Sequence, residues 1–416
     1  MLIQKQNKRK PQIHYGWVVA TGGFLSQVIL LIGTSTLPLI LVAFEEALGI
    51  SNADAGLIIS MYGVFFIIGA PVWGVVVDRI GIRKALTSSS ILTSIGIFSM
   101  GGANSLITCM TIYALIGFGS AALITIIPKL TRAWFDMRRK GAASSYIVSG
   151  GAVSASILGI VVPTLAISYN WRAPFYVLGS ISLFISIVIY AIVRNSPYEK
   201  GLTPLGATQK IVKTIEIDQE VKIKTKDAIK MKITWHFAAF YTVFLMSGIS
   251  IATFLVAYLA ETGLPLVEAG FGFSVYMISV FFGQYLWGIL SDYFPRKYVL
   301  TTCPSLLAVF TFILLTFRMN QIGVYTVIGL MGISEGGVAP VIFALISDYF
   351  NPKVIGAATG VIISSVGICR ILAPLIGGYL ATMTGTLATV LQLSIALAGM
   401  SAVISITLKR LPKHAD

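Results

Sequence analysis

Two ionisable side chains stand inside long apolar stretches of this chain: Arg370 within residues 356–380 and Glu335 within residues 321–346. A charge at the centre of a membrane-crossing helix costs about 2.5–3.5 kcal/mol on insertion scales, so each marks a functional candidate. The guanidinium of Arg370 is a planar, permanently charged fork that matches a carboxylate, and Gly367 and Pro374 loosen the helix on either side of it. Glu335, flanked by Gly332, Gly336 and Gly337, is a protonatable group in mid-span and the candidate for carrying a proton. Either Arg370 binds an anion while Glu335 exchanges protons, or the two form a static buried salt bridge, because buried ions need partners. A bridge opened by substrate would join both roles. Tyr62, Tyr146, Tyr241, Tyr276 and Gln284 can add neutral hydrogen bonds to a small organic anion. Tyrosines also anchor helix ends at membrane interfaces or simply pack.

Other chemistries lack their residues. Cys109, Cys303 and Cys369 are far apart, in or beside apolar stretches, without metal-ligand spacing, and read as free buried thiols. His14 and His414 lie in the tails and His236 opens a later apolar stretch, so no histidine cluster exists for a metal or a catalytic triad. No glycine-rich phosphate loop is present, which removes direct use of ATP. No nucleophile, base and orienting group stand at recognisable spacing, so neither an enzyme nor a cofactor is expected.

The elements that must hold these residues follow from composition. Of 416 residues 56% are apolar and only 11% charged, against roughly 25% charged in soluble domains. Apolar runs of this kind read as membrane-spanning helices. They fall at about 16–43, 55–77, 86–103, 106–128, 141–164, 173–194, 233–257, 269–290, 299–317, 321–346, 356–380 and 386–408. The first lacks a small-residue cleavage site and reads as a retained span.

The chain also repeats itself. Slid along itself so that Leu41 meets Leu255, it pairs Gly56 with Gly270, Tyr62 with Tyr276, Gly69 with Gly283, Trp73 with Trp287 and Asp78 with Asp292. With one more residue of offset, Gly117 meets Gly332, Phe135 meets Phe350 and Gly141 meets Gly356. Duplicated halves in an apolar chain are how many secondary transporters are built, with the substrate site at mid-membrane between the repeats. The expected organisation is a six-helix half over 1–194, a cytoplasmic linker over 195–232 and a second six-helix half over 233–416. Residues 216–224 alternate apolar and charged, which suits a short strand or a surface helix as well as a plain tether.

The net charge of +14 is distributed over alternate loops. With both termini in the cytoplasm, Lys5, Lys8, Arg9, Lys10, Arg138, Arg139, Lys140 and the linker fall on one side, and only Arg172 and Arg318 on the other. That is the positive-inside pattern of a multi-pass protein of the plasma (cytoplasmic) membrane in a lipid bilayer, and not a nucleic-acid face. Lys129, after Pro128, snorkels to the headgroups or funnels anions to the inner mouth.

Between the second and third spans, Gly74, Asp78, Arg79, Gly81, Arg83 and Lys84 form a tight charged motif, repeated in shortened form as Gly288, Asp292, Arg296 and Lys297. This pattern resembles the signature of the major facilitator superfamily. The basic turn at Arg138, Arg139 and Lys140 and the Asn170, Trp171, Arg172 entry to the sixth span are similar to that family too. Close helix approach at Gly74 and pairing of Asp78 with a nearby arginine would make the motif a hinge and latch between closed states. Within the superfamily, the segments 14–17 and 197–204 resemble the monocarboxylate porter and oxalate/formate antiporter branch. The resemblance implies an all-α membrane protein with twelve transmembrane helices in two six-helix repeats, acting as a monomer by alternating access. It implies a secondary transporter of small organic anions, lactate- or pyruvate-like, and Glu335, a protonatable group in mid-span, makes proton symport the expected coupling. An anion exchanger, a drug or metabolite exporter and a transporter-like sensor are the alternatives. The eighth span departs from the branch, since it has no arginine, and Arg370 lies one turn beyond the eleventh-span lysine of the oxalate/formate exchanger. One cation favours a monoanion over a dicarboxylate.

Overall fold

A computed structural model describes residues 14–136, 139–206, 231–349 and 355–407. The basic N-terminal residues, Arg138, Phe350, residues 216–224 and His414 lie outside it, as do the side chains of Lys140 and Asp292.

The N-terminal half runs α1 (Tyr15–Ser35), a short 3-10 helix (Pro38–Ile40), α2 (Leu41–Leu48), α3 (Asn52–Met100), α4 (Leu106–Thr125), α5 (Ile127–Trp134), α6 (Lys140–Ser168) and α7 (Ala173–Ile192). The C-terminal half runs α8 (Lys232–Glu261), α9 (Leu266–Tyr293), α10 (Arg296–Thr316), α11 (Gln321–Gly336), α12 (Val338–Tyr349), α13 (Ile355–Thr384) and α14 (Ala388–Ile406). Among the described residues eleven helices are long and apolar enough to cross a membrane. One of them, α3, has 49 residues, about 74 Å of helix against roughly 30 Å of hydrocarbon, so it crosses twice. Twelve crossings in two sets of six result.

The break expected between the second and third spans falls at Gly81, with φ 82° and ψ 165°, a conformation open essentially to glycine alone. A Cβ there would also stand 2.6 Å from Asn195 Oδ1, the atom that accepts from the Arg83 backbone N–H. Two spans differ from expectation. The first ends as a helix at Ser35 and resumes through the 3-10 turn into α2, and the fourth continues past Pro128 to Trp134, because proline in a first helical turn gives up no hydrogen bond.

The duplicated sequence folds as a duplicated structure. Trp73 Nε1 donates to the Phe118 carbonyl at 2.9 Å, and Trp287 Nε1 donates to the Ile333 carbonyl at 3.0 Å. The two halves meet along two related seams. In one, α3 lies on α13, with Gly56 against Pro374 and Gly378, and Ser60 Oγ donating to the Ile371 carbonyl at 2.8 Å. In the other, α6 lies on α9, where a Cβ on Gly159 would meet the Gly270 carbonyl at 2.5 Å and the Ser274 nitrogen at 3.0 Å. Small residues let backbones approach this closely where no hydrophobic force drives helices together. These contacts lie at the end of the bundle that carries Asn52 and Gly378, away from the charged turn at 78–84.

The linker's beginning is ordered against the N-terminal half. Residues 197–200 form a 3-10 turn, Leu205 pairs with Phe135, and His14 Nε2 lies 3.1 Å from the Thr203 carbonyl. The two segments that suggested the monocarboxylate branch, 14–17 and 197–204, therefore touch and brace α1 against the end of α7.

Candidate functional site

Proline at 374 has no N–H to offer the carbonyl four residues back, that of Arg370. Gly63 of α3 fills that gap: a Cβ there would stand 2.8–2.9 Å from the Arg370 carbonyl group. The two halves thus touch at the backbone that carries the arginine. Its guanidinium carbon lies 5.4 Å from the Tyr62 ring centre and 5.3 Å from that of Phe66, within cation–π range. The rings stack on one another at 5.8 Å.

Arg370 faces a cavity of about 150 Å³ between the halves, walled by α1, α3 and α4 on one side and α8, α9 and α13 on the other. Three buried polar atoms of residues that line it make no hydrogen bond among the described residues: Arg370 Nε, Tyr62 Oη and Tyr113 Oη. Ser120 Oγ, two turns along α4 from Tyr113 and near the Tyr62 hydroxyl, is buried and makes no hydrogen bond among the described residues either. Unpaired buried donors are rare because each forfeits its hydration.

Glu335 is elsewhere. No ion pair joins it to Arg370 among the described residues, so the static bridge is corrected. The reason is topological: α11 packs on α9 and α10, while α13 packs on α3, α8 and α14. The Glu335 carboxylate instead accepts the hydroxyl of Tyr276, which is fully buried, and lies against Gly248 of α8. Tyr241 is buried on the same helix.

The remaining candidates sit apart from the cavity wall. Tyr146 shares a hydroxyl contact of 3.2 Å with Thr21 and stacks on Phe24. Gln284 is half-buried on α9, with its backbone against Gly336. Tyr113, Ser120 and Phe66 escaped sequence reasoning. Their signal was the face Tyr113, Gly117, Ser120, whose glycine the repeat had already marked.

In the charged motif, a Cβ on Gly74 or Gly288 would meet nothing within 4 Å, so the expected close approach is not made at either glycine. Asp78 pairs with Lys129 at 2.6 Å and not with an arginine, and Lys129 also donates to the Gly74 carbonyl at 3.1 Å. Both partners belong to the N-terminal half. Arg83 Nε donates to the Tyr190 carbonyl at 2.9 Å, tying α3 to α7. Arg79 and Lys84 are exposed, and Arg296 and Lys297 open α10 half-buried. Cys109, Cys303 and Cys369 are buried free thiols.

At the packed end of the seam, Glu45 of α2 and Glu261 of α8 line a second cavity, of about 460 Å³. Glu261 accepts from Thr386 Oγ1 at 2.5 Å and the Leu387 N–H at 2.8 Å. Glu45 Oε1 is buried without a partner, and burial pushes its pKa from 4.5 up to about 8. If separation of the halves returns Glu45 to water, closure is favoured fully below about 4.5 and loses that support as pH rises through 8. Spin labels at Ala47 and Met383 should report a growing short-distance population as pH falls from about 9 to 5, and Glu45→Gln should flatten the curve.

Two six-helix halves closing on a cavity at their interface define a secondary transporter of the alternating-access kind. The family model of the Major Facilitator Superfamily matches residues 23–271 and 237–416, and the chain belongs to that family. It is a multi-pass integral membrane protein and not an enzyme. It is 23% identical over 386 residues to the hexuronate transporter of Bacillus subtilis (strain 168), covering 87% of each chain. It is 21% identical over 370 residues to a probable galactarate/D-glucarate transporter of Escherichia coli (strain K12), covering 82% of this chain and 81% of that one. Among solved structures it resembles a bacterial homolog to the human lysosomal transporter Spinster in an inward-facing, occupied conformation. The TM-score is 0.73 at 14% identity, over 96% of this chain and 97% of that one.

Proposed function

We propose that this protein carries sugar acids with one carboxylate and several hydroxyls, of the uronate or aldonate class, across the cytoplasmic membrane together with protons. The observation that carries the reading is the unpartnered Nε of Arg370 in a cavity shared by both halves. A single cation there suits one carboxylate, and the hydroxyls of Tyr62 and Tyr113 on an otherwise largely apolar wall move the expected small organic anion from lactate- or pyruvate-like acids to sugar acids. The relatives named as a hexuronate transporter and a D-galactonate transporter support the one-carboxylate class, and the probable galactarate/D-glucarate transporter, whose acids carry two carboxylates, supports sugar acids in general. Glu335, held by Tyr276, is the proton site. With the charged turns in the cytoplasm, the packed seam is the outer gate and the structure is inward-open. One chain supplies both walls, so a monomer suffices.

The test is uptake into proteoliposomes of labelled glucuronate, galactonate, glucarate and lactate, with and without an inward proton gradient. Glucuronate or galactonate should accumulate when the gradient is applied, ahead of glucarate and lactate. Entry of lactate alone, or of no sugar acid into vesicles holding folded protein, overturns the reading.

A further inference from the structure

The repeat places Tyr62 where Tyr276 stands in the second half, and Ser120 where Glu335 stands. The backbone frame is the same in both: Gly117 packs on the Tyr62 backbone and Gly332 on that of Tyr276. What differs is the side chain opposite the tyrosine. In the C-terminal half Glu335 accepts the tyrosine hydroxyl. In the N-terminal half the shorter serine stands near the tyrosine without closing that bond, and neither Tyr62 Oη nor Ser120 Oγ makes a hydrogen bond among the described residues. Tyr62 is 3% exposed, Tyr113 1% and Ser120 0%, and the two tyrosines line the cavity that Arg370 faces.

We infer that Tyr62 and Tyr113, with Ser120 behind them, read the hydroxyls of the substrate while Arg370 takes its carboxylate. The inference rests on the sugar-acid reading and adds its orientation and selectivity. The acid end lies toward the C-terminal half and the polyol end toward the N-terminal half, so a single molecule spans the seam that must close. One ancestral tyrosine position has been divided between two tasks, holding the proton site in one half and recognising hydroxyls in the other. A site built to hydrogen-bond a hydroxyl discriminates strongly against an analogue without one, because its own buried groups are then left unpaired.

The experiment compares D-glucuronate with hexanoate as competing ligands in a binding assay on purified protein, for wild type, Tyr62→Phe, Tyr113→Phe and Ser120→Glu. Each Tyr→Phe change removes one oxygen and keeps the packing. Glucuronate affinity should fall roughly 10- to 100-fold in each, with hexanoate affinity unchanged or improved. Ser120→Glu should capture the Tyr62 hydroxyl as Glu335 captures that of Tyr276, and reproduce the Tyr62→Phe selectivity. Equal losses for both ligands, or no loss for either, would overturn the inference by making the hydroxyls structural. If wild type transports glucuronate and selectivity does not move, only this inference fails. If wild type neither binds nor transports any sugar acid, the functional reading fails first.

Discussion

Arg370→Ala should abolish uptake of the proposed sugar-acid substrate at any concentration the wild type uses, and Arg370→Lys should restore only part of it. Removing one partner of a buried charged pair costs about 2–5 kcal/mol, which is roughly 30- to several-thousand-fold in affinity. Lysine keeps the charge but presents a point donor instead of a fork. It also gives up the flat face that lies over Tyr62 and Phe66. The alanine variant should stay folded, because the arginine makes no protein ion pair among the described residues and its backbone carries the contact with Gly63. A monodisperse elution profile with an unchanged melting temperature checks this. A folded Arg370→Ala protein with wild-type KM and rate would show that the anion is held elsewhere.

Much of the architecture was legible because it is written as periodic apolarity and as self-similarity. The offset that pairs Trp73 with Trp287 corresponds in space to two indole hydrogen bonds of nearly equal length. Element ends were less legible. The turn at 78–84 was legible from its charges, but that the backbone leaves helical geometry at Gly81, beside Asn195 more than a hundred residues away, was not. The site was half legible. Charge in an apolar span singles out Arg370 and Glu335 one residue at a time, but whether they meet depends on which helices are neighbours. The salt-bridge reading fails on that point. Tyr113 and Ser120 carry no charge and look like ordinary polar residues of a span. Only the structure shows that their hydroxyls lack partners, and only the repeat shows why Ser120 matters. Asp78 found Lys129 instead of an arginine for the same reason: sequence distance says nothing about which turn of α5 lies beside α3.

The second large effect concerns energy coupling. Glu335→Gln keeps the size and an oxygen that can accept the Tyr276 hydroxyl, so the packing against Gly248 should survive. What it removes is the ability to take up and release a proton. A gradient of two pH units provides about 2.7 kcal/mol per proton, enough for roughly 100-fold accumulation when one proton travels with each substrate. Wild-type vesicles should approach that ratio for glucuronate, whereas Glu335→Gln vesicles should equilibrate near a ratio of ~1 while still exchanging labelled for unlabelled substrate. Retained exchange with lost accumulation separates coupling from binding, because a variant that merely damages the cavity loses both. Tyr276→Phe leaves the carboxylate without its hydroxyl donor and should shift the pH dependence of uptake without abolishing accumulation. If Glu335→Gln still concentrates glucuronate down a proton gradient, the proton is carried by another group. If wild type only exchanges and never accumulates, the protein is an anion exchanger, and the Glu335–Tyr276 pair holds α11 to α9 without moving protons.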